Sequence, residues 1–191
     1  AGVAAIYAFV KITGDAVKHY LKLCNGKRAV AFCVSVAHAE HVADSFNLVG
    51  VKSESLDGTL SPDERDARIK RFERGDTLVL TSCDVISEGF DLPAIEAAIL
   101  LRPTQSLSLY LQQVGRALRP FKGKKEAIIL DHVGALMRHG LPDNDRDWSL
   151  EGETKKERQK SNEPDINITT CKQCFGVFLS KSPVCQYCAW V

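Results

Sequence analysis

The sequence has no long apolar run and no excess of charge of one sign. No stretch of its 191 residues approaches the roughly 20 consecutive apolar residues that a membrane-spanning helix needs. The opening segment 1–10 is short and has no basic residues before it, which argues against a secretion signal. Because 25 basic residues face 24 acidic ones, the overall charge does not attract a polyanion. We therefore expect a soluble, cytoplasmic protein without a membrane partner, in which any nucleic-acid contact depends on a local patch.

A phosphate-binding loop is also missing. The pattern G-x-x-x-x-G-K-[ST] fails at both Gly-Lys pairs, because Lys27 is followed by arginine and Lys124 by lysine. This chain by itself therefore lacks the element that holds ATP and magnesium. It also begins without methionine, and we expect it to be part of a longer protein whose preceding segment supplies that element.

The seven cysteines fall into two classes. Three stand singly in apolar surroundings and are expected to be reduced core thiols, namely Cys24, Cys33 and Cys83. Four form two C-x₂-C pairs separated by ten residues, namely Cys171, Cys174, Cys185 and Cys188. Four thiolates in two knuckles suit tetrahedral zinc, and the closed ligand set predicts a structural ion. Disulfides are the alternative, but a two-residue spacing strains a bridge within either pair.

Short apolar runs alternate with helical stretches along most of the chain. The predicted strands are 29–34, 51–56, 78–81, 97–101 and 127–130. The predicted helices are 15–24, 36–48, 62–74 and 106–118, and the alanine-rich segment 1–10 also resembles a helix. Acidic residues after Ser61 and Pro62 resemble a magnesium-binding box, but they open a helix, where acids favour the dipole. The alternation is typical of a doubly wound α/β sheet with ligand sites at the carboxyl ends of its strands.

The densest local motif is the segment 112–120. Arg116 and Arg119 are three residues apart and share a helix face, and Gln112 lies one turn earlier. Two guanidiniums on one face suit a phosphate with developing charge, because each is a planar fork that keeps its proton. The alternative is an exposed basic face at a helix end. Gly115 costs this helix roughly 1 kcal/mol, which suggests the close approach of another surface.

A second motif begins where an apolar strand meets small hydroxyl residues. Thr81 and Ser82 end the strand, and an acid-Gly-x-acid turn follows with Glu88, Gly89 and Asp91. Hydroxyls and backbone amides bind phosphate oxygens, and a carboxylate accepts a hydrogen bond from a ribose hydroxyl. The alternative is an ordinary turn with capping acids.

Taken in order, four motifs resemble motifs IV, IVa, V and VI of superfamily 2 helicases. They are the segments 31–35 and 56–59, the Glu-Gly-Phe-Asp turn, and Gln-x-x-Gly-Arg-x-x-Arg. The resemblance covers nearly all of residues 1–150 and is to DEAD/DEAH-type helicases of bacteria and their phages. It implies a RecA-like parallel sheet flanked by helices, which forms the C-terminal motor lobe. We expect this lobe in 1–150, a charged linker in 151–167, and a small zinc-ribbon or knuckle module in 168–191.

The resemblance also implies a role for each motif residue. Arg119 corresponds to the arginine finger on the γ-phosphate, Arg116 to a second phosphate or coupling contact, and Gln112 to their support. The residues that it places toward the nucleotide are Glu88, Gly89 and Asp91. Those that it places near the nucleic-acid backbone are Ser35, Gly58, Thr81, Ser82 and Thr104. Many relatives have threonine where this chain has Cys83, and a thiol is a weaker donor.

The function implied by the resemblance is ATP hydrolysis between two RecA-like lobes, which moves the motor along nucleic acid or separates its strands. DNA is favoured over RNA as the substrate. The N-terminal lobe of the same protein would hold most of ATP with magnesium, and this lobe would add its arginines and half of the strand-binding groove. Two alternatives stay open: a non-enzymatic nucleic-acid-binding module whose zinc unit carries recognition, and the motor part of a restriction or defence complex.

Overall fold

The structure is a computed structural model that describes residues 4–9, 16–83, 95–146, 168–171, 173, 176–179, 183–185 and 188–189. The strands are β1 (Ala4–Phe9), β2 (Ala29–Phe32), β3 (Ser53–Leu56), β4 (Val79–Ser82), β5 (Ala97–Leu100), β6 (Glu126–Asp131), β7 (Ile168–Thr170) and β8 (Val177–Leu179). The helices are α1 (Ala16–Leu23), α2 (Val36–Leu48), α3 (Pro62–Arg74), α4 (Leu107–Leu118) and α5 (Ala135–His139). Among these described helices, none has the length and apolarity to cross a membrane.

Six of the strands form one parallel sheet in the order β1-β6-β5-β2-β4-β3. Its register aligns the last residues of all six strands on one line, namely Phe9, Asp131, Leu100, Phe32, Ser82 and Leu56. Since the strands are parallel, this line marks the carboxyl edge of the sheet. The strands β7 and β8 form a separate antiparallel hairpin.

Both faces of the parallel sheet are covered, and the alternation within β2 shows how. Val30 and Phe32 pack with α3 and α4 on one face. Ala29 and Ala31 pack with α1 and α2 on the other. A strand that is buried on both faces needs apolar residues throughout, which explains the unbroken apolar runs of the sequence.

The predicted elements of the main sheet agree with the structure to within a few residues, except at the start of the chain. The prediction of a helix-like segment in 1–10 is wrong, because β1 pairs with β6 from Ala4↔Glu126 to Phe9↔Asp131. Alanine is a good helix former, but intrinsic propensity is a weak determinant, and pairing along the open edge of a sheet outweighs it.

Helix α3 begins as the sequence predicts. The Ser61 hydroxyl accepts a hydrogen bond of 3.2 Å from the Glu64 backbone N–H, and Pro62 opens the helix. The Glu64 carboxylate accepts from Arg68 at 3.0 Å and from Arg71 at 3.2 Å. Ser61 therefore caps α3 and Glu64 braces it, which confirms that the acidic run opens a helix.

A buried hydrogen bond ties α4 to the end of α5. The Tyr110 hydroxyl donates to the Gly140 carbonyl at 2.9 Å, and both groups are buried. Tyr110→Phe is expected to lower the free energy of unfolding by about 1–3 kcal/mol, because it leaves a buried carbonyl without its donor. Urea denaturation of the chain measures this change. Met137→Ala, at a half-exposed position of α5, is the control and should change stability by no more than about 0.5 kcal/mol. Equal stability of Tyr110→Phe and the wild type would contradict the prediction.

Candidate nucleotide and nucleic-acid interface

Four of the residues predicted to approach nucleic acid lie at the carboxyl edge of the sheet. Ser35 follows β2, Gly58 follows β3, Ser82 ends β4, and Thr104 follows β5. Because the ends of these strands are aligned in register, the structure brings the four residues to one side of the lobe. Residues scattered over a large part of the sequence thus share one edge.

The N-terminus of α2 opens onto this edge. Ser35 is exposed, and its hydroxyl accepts from the His38 backbone N–H at 3.2 Å as the N-cap. The first amides of this 13-residue helix carry partial positive charge, which favours an anion such as a phosphate. Two strands along the same edge, a short turn after β3 presents Gly58, which is exposed and has no atom within 4 Å of an added Cβ. The hydrogen bond from the Thr59 hydroxyl holds the pKa of Asp57 below its usual value and keeps that turn in shape.

Thr81 takes a different position from the one predicted. Its side chain is fully buried, and its hydroxyl donates to the Ala39 carbonyl of α2 at 2.7 Å. The hydroxyl therefore links α2 to β4 and does not reach the edge surface, because the register of β4 turns it into the core. The neighbouring Ser82 hydroxyl is also buried and has no hydrogen-bond partner among the described residues.

The predicted nucleotide-facing residues Glu88, Gly89 and Asp91 lie outside the described residues. The described residues on either side fix only the ends of this segment. Cys83 follows β4 at the carboxyl edge, and Ile95 precedes β5 at the opposite, amino edge. The segment between them therefore connects the two edges of the sheet.

The arginine motif lies at the end of α4, away from the carboxyl edge. This helix starts after β5 and runs back for 12 residues, or about 18 Å at 1.5 Å per residue. The four residues of β5 span only about 13 Å, so the end of α4 reaches the amino edge. The contacts of Lys124 agree, because its Nζ donates both to the Ile95 carbonyl at 2.6 Å and to the Arg119 carbonyl at 3.0 Å. The two arginines therefore lie away from the carboxyl ends of the strands, where the sequence analysis expected ligand sites.

Helix α4 keeps its polar motif on its outer face. Gln112 is exposed and Arg116 and Arg119 are partly exposed, whereas Val114 and Ala117 are buried against the sheet. An added Cβ at Gly115 would meet no atom within 4 Å. The sequence analysis expected another surface to approach Gly115 closely, and the described residues do not include that surface.

A lysine beyond α4 was missed by the sequence analysis, which used Lys124 only to exclude a phosphate-binding loop. Its ammonium donates to the backbone carbonyls of Ile95, Ala117 and Arg119. Burial lowers the pKa of Lys124 to about 8, and the nearby Glu96 carboxylate acts in the opposite direction. A lone lysine after a helix has no chemical pattern of its own, so only the structure reveals these contacts.

The C-terminal cysteines form a second candidate site. The sulfurs of Cys171, Cys185 and Cys188 all lie within 4.8 Å of one another, and Cys174 lies outside the described residues. Cys171 Sγ and Cys188 Sγ are 3.6 Å apart. Sulfurs that share a tetrahedral zinc at about 2.3 Å lie about 3.8 Å apart, whereas a disulfide is only about 2.05 Å long. The spacing therefore fits a metal ion, and the Gln173 backbone N–H, 3.4 Å from Cys171 Sγ, favours a thiolate there.

Hairpin strand β8 joins the cysteine cluster to the lobe. Val177 is 1% exposed and packs into the core that contains α4 and α5. The adjacent Phe178 packs with Cys171 and Cys185. Phe178 is buried and therefore packs around the cysteine cluster.

Comparison with known proteins identifies the family. The family model described as helicase conserved C-terminal domain matches residues 14–120. The chain belongs to this helicase C-terminal domain family. A 51.5 kDa protein of Lactococcus phage (isolate 7-9) is 37% identical over 179 residues, which are 93% of this chain and 39% of the phage protein. The ATP-dependent RNA helicase drs1 of Neosartorya fischeri is 32% identical over 104 residues, which are 53% of this chain and 13% of drs1.

The fold of this helicase C-terminal domain agrees with solved structures. The C-terminal domain of the DEAD-box protein Dbp5 superposes with a TM-score of 0.58 and 20% identity, and covers 72% of this chain and 82% of the Dbp5 domain. The predicted RecA-like parallel sheet flanked by helices is thus confirmed. The chain spans less than two fifths of the length of the phage protein and a smaller share of drs1.

Proposed function

We propose that this chain is the second motor lobe of an ATP-dependent superfamily 2 helicase or translocase, with Arg119 as its arginine finger. The observation that carries the proposal is the outer face of α4. Gln112, Arg116 and Arg119 share that face, and the space above Gly115 is open in the described part of the chain. An N-terminal lobe of the same protein would cover this face when ATP is bound between the two lobes.

The chemistry suits two arginines. Transfer of a γ-phosphoryl group passes through a loose transition state whose charge lies on the phosphoryl oxygens. A planar guanidinium that is always charged stabilises those oxygens, and Arg116 provides a second contact in the same direction. Gln112, one turn away, supports the pair. The N-terminal lobe contributes the phosphate loop and the magnesium-binding acid, and Glu88, Gly89 and Asp91 of this lobe are proposed to face the nucleotide.

The carboxyl edge is the proposed nucleic-acid surface. The α2 amides beside Ser35, the backbone at Gly58 and the hydroxyl of Thr104 provide contacts for phosphate and sugar groups, whereas the Ser82 hydroxyl is buried and would not reach a strand. Such contacts position a strand without reading its sequence. We propose DNA as the substrate. RNA is the alternative, and the test includes it because the relative drs1 is named as an RNA helicase.

The cysteine cluster is the proposed structural zinc site of a small module in 168–191, which follows a linker in 151–167. Cys171, Cys174, Cys185 and Cys188 would hold the ion, which supplies no reaction chemistry because all four positions are filled by protein. The buried thiols Cys24 and Cys33 are free, and burial raises the pKa of each to about 12. Unpaired core thiols support a reducing, cytoplasmic compartment.

Release of phosphate from ATP tests the proposed division of labour, in which the N-terminal lobe holds ATP and this lobe adds its arginines. The isolated chain is expected to have no nucleic-acid-stimulated ATPase activity, because the phosphate loop is absent from its sequence. The two-lobe protein is expected to turn over ATP and to be stimulated by a single strand, with poly(dT) and poly(U) compared side by side. Stimulated turnover by the isolated chain would contradict the division of labour. A two-lobe protein that binds either strand but hydrolyses no ATP would support the non-enzymatic binding module instead.

A further inference from the structure

The Lys124 ammonium joins the end of α4 to the start of β5. Its Nζ donates to the Ile95 carbonyl at 2.6 Å, to the Arg119 carbonyl at 3.0 Å, and to the Ala117 carbonyl. Ala117 and Arg119 belong to the last turn and the C-cap of α4, where carbonyls have no partner within the helix. An ammonium has three N–H donors, so all of its hydrogen-bonding capacity serves these three carbonyls.

This arrangement replaces the usual end of a helix. Many helices end at a glycine in the left-handed conformation, which closes the last carbonyls with backbone amides. Helix α4 ends at Arg119 in an extended conformation, with φ −60° and ψ 132°. A cation beside the last carbonyls also favours the helix dipole. Lys124 therefore satisfies two carbonyls at the end of α4, those of Ala117 and Arg119.

A tight turn directs Lys124 back to the helix. Its backbone N–H donates to the Phe121 carbonyl at 3.0 Å, and Gly123 has φ of +88°, a conformation that favours glycine. Lys122 and Lys125 in the same segment are exposed, whereas Lys124 is half-buried. The turn thus selects one of three lysines for the contact with α4.

We infer that Lys124 is a positioning residue for Arg119: it fixes the backbone of the arginine finger against β5 so that the guanidinium meets the γ-phosphoryl group in the transition state. The inference rests on the proposed function. One of the three bonds is to the carbonyl of Arg119 itself, so it restrains the peptide beside the Cα from which the long side chain extends. A displacement of about 1 Å at a reacting group costs on the order of 100-fold in rate. A restraint on the Arg119 backbone would therefore preserve the rate of ATP hydrolysis.

The test compares lysine variants in the two-lobe enzyme. Lys124→Met keeps the aliphatic stem and removes the three donors, and we expect kcat for stimulated ATP hydrolysis to fall roughly 10- to 100-fold with little change in KM for ATP. Lys124→Arg keeps the positive charge, but its planar fork does not reproduce three convergent N–H groups, so it should restore kcat only in part. Lys122→Met, at an exposed position of the same turn, is the matched control and should equal the wild type.

A second comparison separates positioning from general stability. If Lys124 acts through Arg119, Lys124→Met should cause no further loss in the Arg119→Ala background, whereas a structural role predicts that the two losses add. Additive losses would overturn the inference. If Lys124→Met equals the wild type while Arg119→Ala is inactive, this inference alone is wrong. If the wild-type enzyme shows no stimulated turnover, the proposed function and the inference are both wrong.

Discussion

Arg119→Ala in the two-lobe enzyme is expected to lower kcat for stimulated ATP hydrolysis by about a thousandfold or more. KM for ATP should stay nearly constant, because an arginine that meets charge only in the transition state does not contribute to ground-state binding. Steady-state and single-turnover phosphate release measure both quantities. Arg119 is partly exposed at the end of α4, so its replacement by alanine should not unfold the protein. The fall in kcat would therefore report on catalysis.

Two further variants sharpen this prediction. Arg119→Lys should restore little activity, because a point charge does not reproduce the planar fork of donors. Lys122→Ala removes an exposed positive charge three residues away and should leave kcat unchanged. Normal turnover of Arg119→Ala, combined with release of nucleic acid at lower salt, would instead identify Arg119 as a contact to the nucleic-acid backbone.

Cys185→Ser is expected to release zinc and unfold the C-terminal module. The Cys185 side chain is buried within the cysteine cluster, so its loss removes one of the proposed ligands from the interior. Structural zinc contributes roughly 10–16 kcal/mol in small peptides at neutral pH, far more than the core of such a module can supply. Elemental analysis should find one zinc per chain in the wild type and almost none in the variant. Because the ligands are thiolates, zinc should also be lost as the pH falls.

Another cysteine provides the control. Cys24→Ala changes a buried thiol of the core around α1 and α2, outside the cysteine cluster, and should keep the zinc stoichiometry of the wild type. Limited proteolysis should cut the module only in Cys185→Ser. Absence of metal from the wild-type protein, or disulfides among the four cysteines by mass spectrometry, would refute the zinc assignment.

Local sequence signals predicted most strands of the main sheet and the helices that flank it. Helix α3 is an example, because Ser61 and Pro62 mark its start and Gly75, with φ of +81°, marks its end. Strand β1 was not predictable in the same way, because its conformation depends on pairing with β6, far away in the sequence. The short elements α5, β7 and β8 have too few residues for a periodic pattern, and the hairpin depends on the cysteine cluster beside it.

The candidate site was predictable as a set of residues but less well as an arrangement. The order of the motifs gave Ser35, Gly58 and Arg119 as candidates without any coordinates, and their roles stay predictions. The direction of Thr81 depends on the register of β4, which the sequence does not specify. The contacts of Lys124 depend on a turn that brings three distant carbonyls together, and no motif encodes that convergence.

The placement of Arg119 and Ser35 at opposite edges of one sheet has a mechanical consequence for the proposed motor. The sheet between them is packed on both faces with fully buried side chains, and a close-packed interior transmits displacement with little compression. A small rotation of the lobe about its amino edge, where ATP would be hydrolysed, therefore becomes a larger stroke at the carboxyl edge. In the proposed motor, the length of this lever would be set by the strands and by α4, and it would determine how far a bound strand moves in each cycle.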